Sequence, residues 1–332
     1  LQAGAAAAGR PWTGKLELEG AVRILTGALL PAGADTVVPQ EDTETEGPAL
    51  RLLRAPNAGA NVRQAGENLQ AGKLAVAAGA RLRPQDLAQI AAAGVGKLEL
   101  FRRLRVGVLS TGDELRPPDR LEQLSDVADA NRPMLKALAA SQGFEVRDLG
   151  IAVDRVEAVR RALDEAAETC DLVVASGGAS AGDEDHLSRI LAEEGRMHVW
   201  RVAMKPGRPL AMGCWRGVQV CGLPGNPVAA FVCFLIFVRP VALRLAGSAW
   251  TTPRCYRLPT ARDLTKRPGR HEFLRARLRA DGSLERYRSE GSGLIEGLRW
   301  SDGLISLAAD VTSVSASEPV SFLPYSEFGI VS

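Results

Sequence analysis

The stretch Asp171-Leu-Val-Val-Ala-Ser-Gly-Gly-Ala-Ser-Ala-Gly-Asp-Glu-Asp-His186 decides how the rest of the chain is read. Leu172 to Ala175 is a short apolar run suited to a buried strand, Ser176 to Gly182 a glycine-rich turn, and Asp183 to Asp185 the opening of a helix. Glycine lets backbone approach a ligand closely, and the first N–H groups of a helix have no internal partners. The junction is therefore an anion site suited to phosphate. Three acids, Asp183, Glu184 and Asp185, follow at once. A phosphate beside carboxylates is repelled unless a cation stands between them, so the pattern points to a divalent metal, Mg²⁺ first. The same residues also fit an ordinary turn whose acids complement the helix dipole, and the flanking sequence must decide.

Working outward, strand and helix patterns alternate. Leu104 to Leu109 reads as a strand running into Ser110-Thr-Gly-Asp-Glu-Leu115. Asn131, with Pro133 just inside, opens a helix that Gly143 ends. Phe144 to Ile151 is the next strand, and Asp154 caps a helix carrying Val156, Val159, Leu163 and Ala166 at helical spacing. Beyond the glycine loop come a helix over Leu187 to Glu194 and strands at His198 to Ala203, Leu210 to Gly213 and Val218 to Gly222. A long apolar helix from Asn226 to Ala246 closes the unit. This alternation predicts an α/β multidomain protein whose centre, residues 103–247, is a three-layer αβα unit with a largely parallel sheet. Ligands of such sheets bind at the carboxyl ends of the strands, so Thr111 to Glu114, Asp154 and Gly177 to Asp185 should share one rim.

Residues 1–102 are short apolar runs (Ala21 to Thr26, Ala34 to Pro39, Lys73 to Val76) split by glycine and proline, which predicts a β-rich region. A helix starting at Pro84, with Leu87, Ile90 and Ala91 on one face, closes it. Residues 248–332 return to short strands and predict a small barrel or sandwich.

The chain has 332 residues, 46% hydrophobic and 24% charged, with a net charge of +2. That is globular material for two or three domains, with no electrostatic footprint for nucleic acid or an anionic membrane. Five scattered cysteines without a CxxC pair argue for reduced thiols in the cytoplasm, against a disulfide framework or structural zinc. The apolar run Val228 to Val238 is too short to span a bilayer and reads as a core helix. Leu1 in place of methionine leads us to expect residues before it, so targeting is not judged.

Several constellations could carry chemistry. Asp113 and Glu114 follow a strand directly and suit a metal or a base, or simply a surface turn. Lys205-Pro-Gly-Arg-Pro209 sets two cations around a rigid turn, fit for anion recognition. Arg201 lies four residues earlier, so one continuous strand would put Arg201 and Lys205 on one face. Gly222-Leu-Pro-Gly-Asn-Pro227 is a strand-to-helix elbow with a second helix start. Arg267-Pro-Gly-Arg270 and Gly291-Ser292-Gly293 read as loops that spacing does not bring near the rim. His186 could touch a ligand, while His198 and His271 belong in or beside strands. These residues describe a phosphorylated ligand handled with metal help, and the physical reading stops at that class.

Taken together, Ile24-Leu-Thr-Gly-Ala28, Gly66-Glu-Asn68, Ser110-Thr-Gly-Asp-Glu-Leu115, Asn131-Arg-Pro133, Ser176 to Asp183, Met204-Lys-Pro-Gly-Arg-Pro209 and Gly222 to Pro227 resemble, in order and over essentially the whole chain, the molybdopterin molybdenumtransferases (MoeA and the matching domain of gephyrin). The resemblance implies insertion of molybdenum from molybdate into adenylylated molybdopterin with Mg²⁺ and release of AMP. It implies a cytoplasmic, elongated homodimer whose further partners are the molybdopterin adenylyltransferase and apo-molybdoenzyme delivery proteins. It also implies a MogA-like central unit between an N-terminal β-rich region and a C-terminal β-barrel. Thr26 would face the partner. Glu114, Asp154 and Asp185 match the family's acids, with Asp185 and Glu114 as metal ligands. Arg201, Lys205, Arg270 and Ser292 would hold molybdate. Gly177, Gly178, Ser180, Gly182, Pro206, Gly225 and Asn226 would bound the pterin nucleotide. Three departures stand out. The family's opening Ser-x-Met-Asp-Gly-Tyr-Ala motif has no counterpart here, Arg201 replaces a usual lysine, and Ala229 replaces a frequent serine. A stand-alone adenylyltransferase fold and a non-catalytic pterin carrier are the alternatives; the flanking β regions oppose the first and the retained acids the second.

Overall fold

The structure, a computed structural model, describes residues 1–177 and 186–330. The chain separates into two compact units, 1–77 with 83–96, and 78–82 with 97–332.

In the first unit, Ala5–Ala6 pairs in parallel with Arg23–Ile24, and Thr43–Glu46 forms a hairpin with Ala49–Leu52. The runs Ala34 to Pro39 and Lys73 to Val76 are extended or turn backbone, not strands. The reason is packing: strands need a buried face, and the buried residues here are Ala6, Pro31, Asp86 and Ile90, while Leu18 is 97% exposed. The helix Pro84–Ala92 starts at Pro84 as expected. Its inner face carries Ile90 and Asp86, not Leu87, which is 50% exposed. Asp86 accepts bonds from the Arg83 main-chain N–H and guanidinium, and these hold its carboxyl down to about 2.

The second unit is built on a six-stranded sheet. In chain order its elements are β1 (Arg105–Thr111), α1 (Asn131–Ser141), β2 (Glu145–Ala152), α2 (Val156–Thr169), β3 (Leu172–Ser176), α3 (His186–Glu193), β4 (Arg196–Trp200), β5 (Met204–Lys205), β6 (Ala211–Trp215) and β7 (Val218–Leu223). A continuous helix α4, Pro227–Leu245, follows. Strand order is β4-β6-β7-β3-β1-β2, parallel from β7 to β2, with β6 antiparallel to both its neighbours. Val106, Val108, Leu172, Val174, Cys221 and Leu223 enter one core with α1 and α4. The alternate residues Leu109, Val173, Ala175, Val218 and Val220 enter the other with α2 and α3. A strand with period two buried on both faces reads as an unbroken apolar run, and that makes this a three-layer αβα unit. By length and composition α4 could also cross a bilayer, but here Val228 to Leu235 are buried in the core. Its turn Phe234–Val238 is wound as π-helix just before Pro240, which has no N–H to donate.

Further elements include β8 (Tyr256–Pro259), β9 (His271–Leu278), β10 (Leu284–Arg286), α5 (Glu296–Trp300), β11 (Gly303–Leu307) and β12 (Pro319–Pro324). The strands form a second sheet with β5, in the order β5-β9-β11-β12-β8, with β10 beside β9. A single bridge, Thr260 with Leu284, joins its outer strands. The sheet has its own core of Leu274, Ile305, Leu307, Val320 and Phe322. Leu304, Leu323, Tyr325 and Phe328 instead enter the α1–α4 core of the αβα unit. Strand β5, which leaves the central unit, pairs in parallel with the start of β9, Lys205 beside Glu272.

Candidate active site

Parallel pairing sets Ser110 of β1 beside Ser176 of β3, and Ser176 beside Leu223 of β7, so three strands end together. Two glycines follow from this crowding. Gly177, at φ +92°, lies so close to β1 that a Cβ would stand 2.3 Å from the Thr111 carbonyl oxygen. Gly112, at φ +152°, is overhung by the Glu114 carboxylate, which a Cβ would meet at 2.8 Å. Asn131 opens its helix as expected, after the N-cap Ala130, and no side chain caps it. The Asn131 Nδ2 donates to Ser176 Oγ at 2.7 Å and to the Gly225 carbonyl at 2.6 Å, which ties β3 to the elbow after β7. Among the described residues, Asn131 Oδ1 and Thr111 Oγ1 are buried without a hydrogen-bond partner. Buried polar atoms are ordinarily satisfied, and orphans at strand ends are hydrogen-bonding capacity left for a ligand.

The acids sit on this rim. Glu114 is exposed. Asp113 Oδ1 accepts the Asp154 main-chain N–H at 2.8 Å, which joins the ends of β1 and β2. Asp154 is not a helix cap as its position suggested, because the N-cap of α2 is Arg155 and no side chain caps it. His186 Nε2 donates to the Asp154 carbonyl at 3.0 Å, with the carboxylate 4.0 Å away. Gly178, Ser180, Gly182 and Asp185 lie outside the described residues. Among the described residues no three His, Cys, Asp or Glu side chains gather into a metal-holding group. The rim's all-oxygen donors nonetheless fit Mg²⁺, which takes one or two carboxylates and completes its shell with water and phosphate oxygens.

A second concentration of charge lies where β5 meets β9. An open cavity of about 390 Å³ is lined by Lys205, Thr265, Lys266, Arg267, Arg270, Glu272 and Glu290. Lys205 Nζ donates to Glu290 at 2.6 Å and lies 3.6 Å from the buried Glu272. The Lys205 hydrogen bond holds the Glu290 carboxyl below its usual range against the opposing effect of burial, and Arg286 helps. Lys266 Nζ donates to the carbonyls of Arg267, Arg270 and Ala309 and so knits the loop that presents Arg270.

A chain of contacts leads from this cavity toward the rim. Lys205, Pro206, Val228, Ser289 and Glu290 line one narrow hollow. The Val228 N–H, at the start of α4, donates to the Ser292 carbonyl at 2.9 Å. Asn226 is the N-cap of α4, and Gly225 just before it carries the bond from Asn131. Lys205, Pro206, Arg270, Ser292, Gly225, Asn226, Gly177, Glu114 and Asp154 thus lie along one linked series of elements.

Two expected residues lie on other elements. Thr26 is exposed in a turn of the first unit. Arg201 does not share a strand with Lys205: β4 ends at Trp200, Arg201 turns at φ +67°, and β5 belongs to the other sheet. The same-face argument assumed an unbroken strand, and Arg201 is not among the described residues lining the Lys205 cavity.

Three family models cover the chain in order: the MoeA N-terminal region (domains I and II) over 2–94, a probable molybdopterin binding domain over 107–244, and the MoeA C-terminal region (domain IV) over 257–325. A molybdopterin molybdenumtransferase of Haemophilus influenzae is 35% identical over 329 residues, 97% of this chain and 81% of that protein. The chain belongs to the molybdopterin molybdenumtransferase (MoeA) family. A second such enzyme, of Mycobacterium tuberculosis, is 32% identical over 302 residues, 89% of this chain and 74% of that protein. The crystal structure of a MoeA molybdopterin biosynthesis protein from Pyrococcus horikoshii superposes with a TM-score of 0.82 at 25% identity, over 97% of this chain and 79% of that one. The family is one of transferases in molybdenum cofactor biosynthesis.

Sequence reasoning missed Glu272, Glu290 and Lys266 as neighbours of Lys205, and the Asn131 amide as a crosslink. The Asn131-Arg-Pro motif was a signal for the last. Nothing local marks the other three, because they reach Lys205 through a pairing between strands 67 positions apart.

Proposed function

We propose that the chain inserts molybdenum from molybdate into adenylylated molybdopterin and releases AMP. The observation that carries this reading is the cavity shared by Lys205 and Arg270, joined through Ser292 and Val228 to the strand-end rim. Molybdate is a tetrahedral dianion, and a point cation with a planar guanidinium is the pairing that suits it. The pterin phosphate lies beside Gly177, Gly112 and the α4 N-terminus at Asn226, where close backbone approach and the helix dipole favour anions. Holding oxyanion and dithiolene on adjoining surfaces makes their encounter intramolecular. Asp185 and Glu114 hold Mg²⁺, which when bound supplies positive charge to the phosphate oxygens as AMP leaves. Asp154 and His186 order the rim beside them. Arg201, set on a separate turn, adds charge to the approach to the site, and Thr26 acts from the partner of a homodimer. The functional segments of this reading are 1–102, 103–247 and 248–332; what supports them is the order of the three family-model matches, over 2–94, 107–244 and 257–325. Five free cysteines, three of them buried, accord with a reducing cytoplasm, where the adenylyltransferase would supply the pterin and apo-molybdoenzyme delivery proteins would receive the product.

The test is AMP release from adenylylated molybdopterin with Mg²⁺, with and without molybdate. Molybdate-dependent release is expected, lost in Asp185→Asn and shifted to higher molybdate in Lys205→Ala. Tight pterin binding without AMP would make the chain a carrier instead.

A further inference from the structure

We infer that Glu290 is a built-in counterion that occupies the oxyanion's place on Lys205 and must release it when the ligand arrives. The inference rests on the oxyanion reading of the Lys205–Arg270 cavity and adds a specificity-determining residue to it. Four cations and two carboxylates line that cavity, so two positive charges stand in excess, the number a tetrahedral dianion neutralises. The two carboxylates play different parts. Glu272 is 3% exposed, is fixed in β9 by its pairing with Lys205 and lies 3.6 Å from Nζ, so it is a permanent neighbour. Glu290 is partly exposed and lies outside any strand, next to Gly291. It makes the shorter contact, 2.6 Å, and its other oxygen is held by Arg286 Nη1 at 2.9 Å.

This second contact makes an exchange workable. When an oxyanion takes the Lys205 ammonium, the Glu290 carboxylate keeps one cation and is not stranded. A carboxylate and an oxyanion compete for the same donors with the same charge-assisted geometry. Glu290 therefore lowers affinity for every anion and leaves the site to ligands able to replace a strong resident contact, which favours a dianion over chloride or a simple carboxylate. It also keeps Lys205 pointed into the cavity in the ligand-free chain.

The experiment is calorimetric titration of the full chain with sulfate, a tetrahedral dianion, for wild type, Glu290→Gln, Lys205→Ala and the double variant, with thermal melts to confirm folding. Both side chains are partly exposed, so the expected gain in Glu290→Gln is modest, about five- to tenfold tighter sulfate binding, or about 1–1.4 kcal/mol. The gain should vanish in the Lys205→Ala background, an outcome that a general loosening of the loop would not produce. Wild-type binding that Glu290→Gln leaves unchanged or weakens overturns the counterion role while the oxyanion reading stands. Failure of wild type and Glu290→Gln alike to bind sulfate overturns the oxyanion reading, and this inference with it.

Discussion

Replacing Arg275 by methionine should loosen the loop that carries Glu290 and Ser292. Arg275 leaves β9 on the inner side, is 5% exposed, and spends its guanidinium on main-chain carbonyls: Leu294 at 2.8 Å, Ser289 at 2.6 Å and Gly291 at 3.1 Å. The same group lies 4.8 Å from the centre of the Tyr287 ring. Hydrogen bonds to a charged group contribute about 1.5–3 kcal/mol each. Burial already disfavours this cation, enough to lower its pKa, and water can reach the carbonyls once they are released. A net loss of roughly 2–4 kcal/mol is therefore the reasonable figure, not the full sum. In a unit of this size that is a drop of roughly 5–15 °C in Tm. Amide exchange over 289–294 should accelerate, because the three carbonyls that Arg275 holds lie in this segment. Arg275→Lys should recover part of each effect. Unchanged melting with unchanged exchange in 289–294 would refute the argument. A check from another direction is Gly297→Ala, whose Cβ would stand 2.5 Å from Arg275 Nη1 and should perturb the same loop.

Other outcomes follow from the rim and from one ion-pair network. Gly177→Ala places a methyl group 2.3 Å from the Thr111 carbonyl at a φ of +92°, so the strand-end loops must shift; AMP release should fall at least about tenfold while circular dichroism stays near wild type. Asp148, although burial favours its neutral form, is brought to about 2 by bonds from Lys136 and Arg132 and the Gly150 N–H. Its folded pKa is depressed, so its stabilisation is present above the unfolded carboxylate range and disappears as pH falls toward 2. Asp148→Asn should therefore lower Tm at pH 7, and the difference from wild type should shrink between about pH 4 and pH 2; a constant difference would contradict the assignment.

The central unit was legible because its signals are local. Leu172 to Ala175 announces a strand buried on both faces, Gly177 a turn that tolerates no side chain, and Pro227 a helix start. The failures share a cause. Reading Arg201 and Lys205 as one face required an unbroken strand, but the chain turns at Arg201 and enters another sheet. The cations and carboxylates around Lys205 come together through the parallel pairing with Glu272, which no periodicity encodes. Arg270 and Ser292 are loop residues as read, but for the same reason their spacing did not place them near Lys205, and the family resemblance singled them out. Asp154 has a good capping residue type, yet its helix starts later, after the N-cap Arg155, while Asp113 accepts the Asp154 N–H; the Asn131 amide crosses to Ser176 and Gly225, which the sequence did not show. In the N-terminal unit the apolar runs were visible, but no face buries them, so few became strands.

The most direct measurement is a crystal structure of the chain grown with tungstate, located by its anomalous scattering. The account predicts a peak in contact with Lys205 Nζ and the Arg270 guanidinium, beside Ser292, with Glu290 withdrawn toward Arg286. A tungstate bound at full occupancy elsewhere, with Lys205 still paired to Glu290, would contradict it.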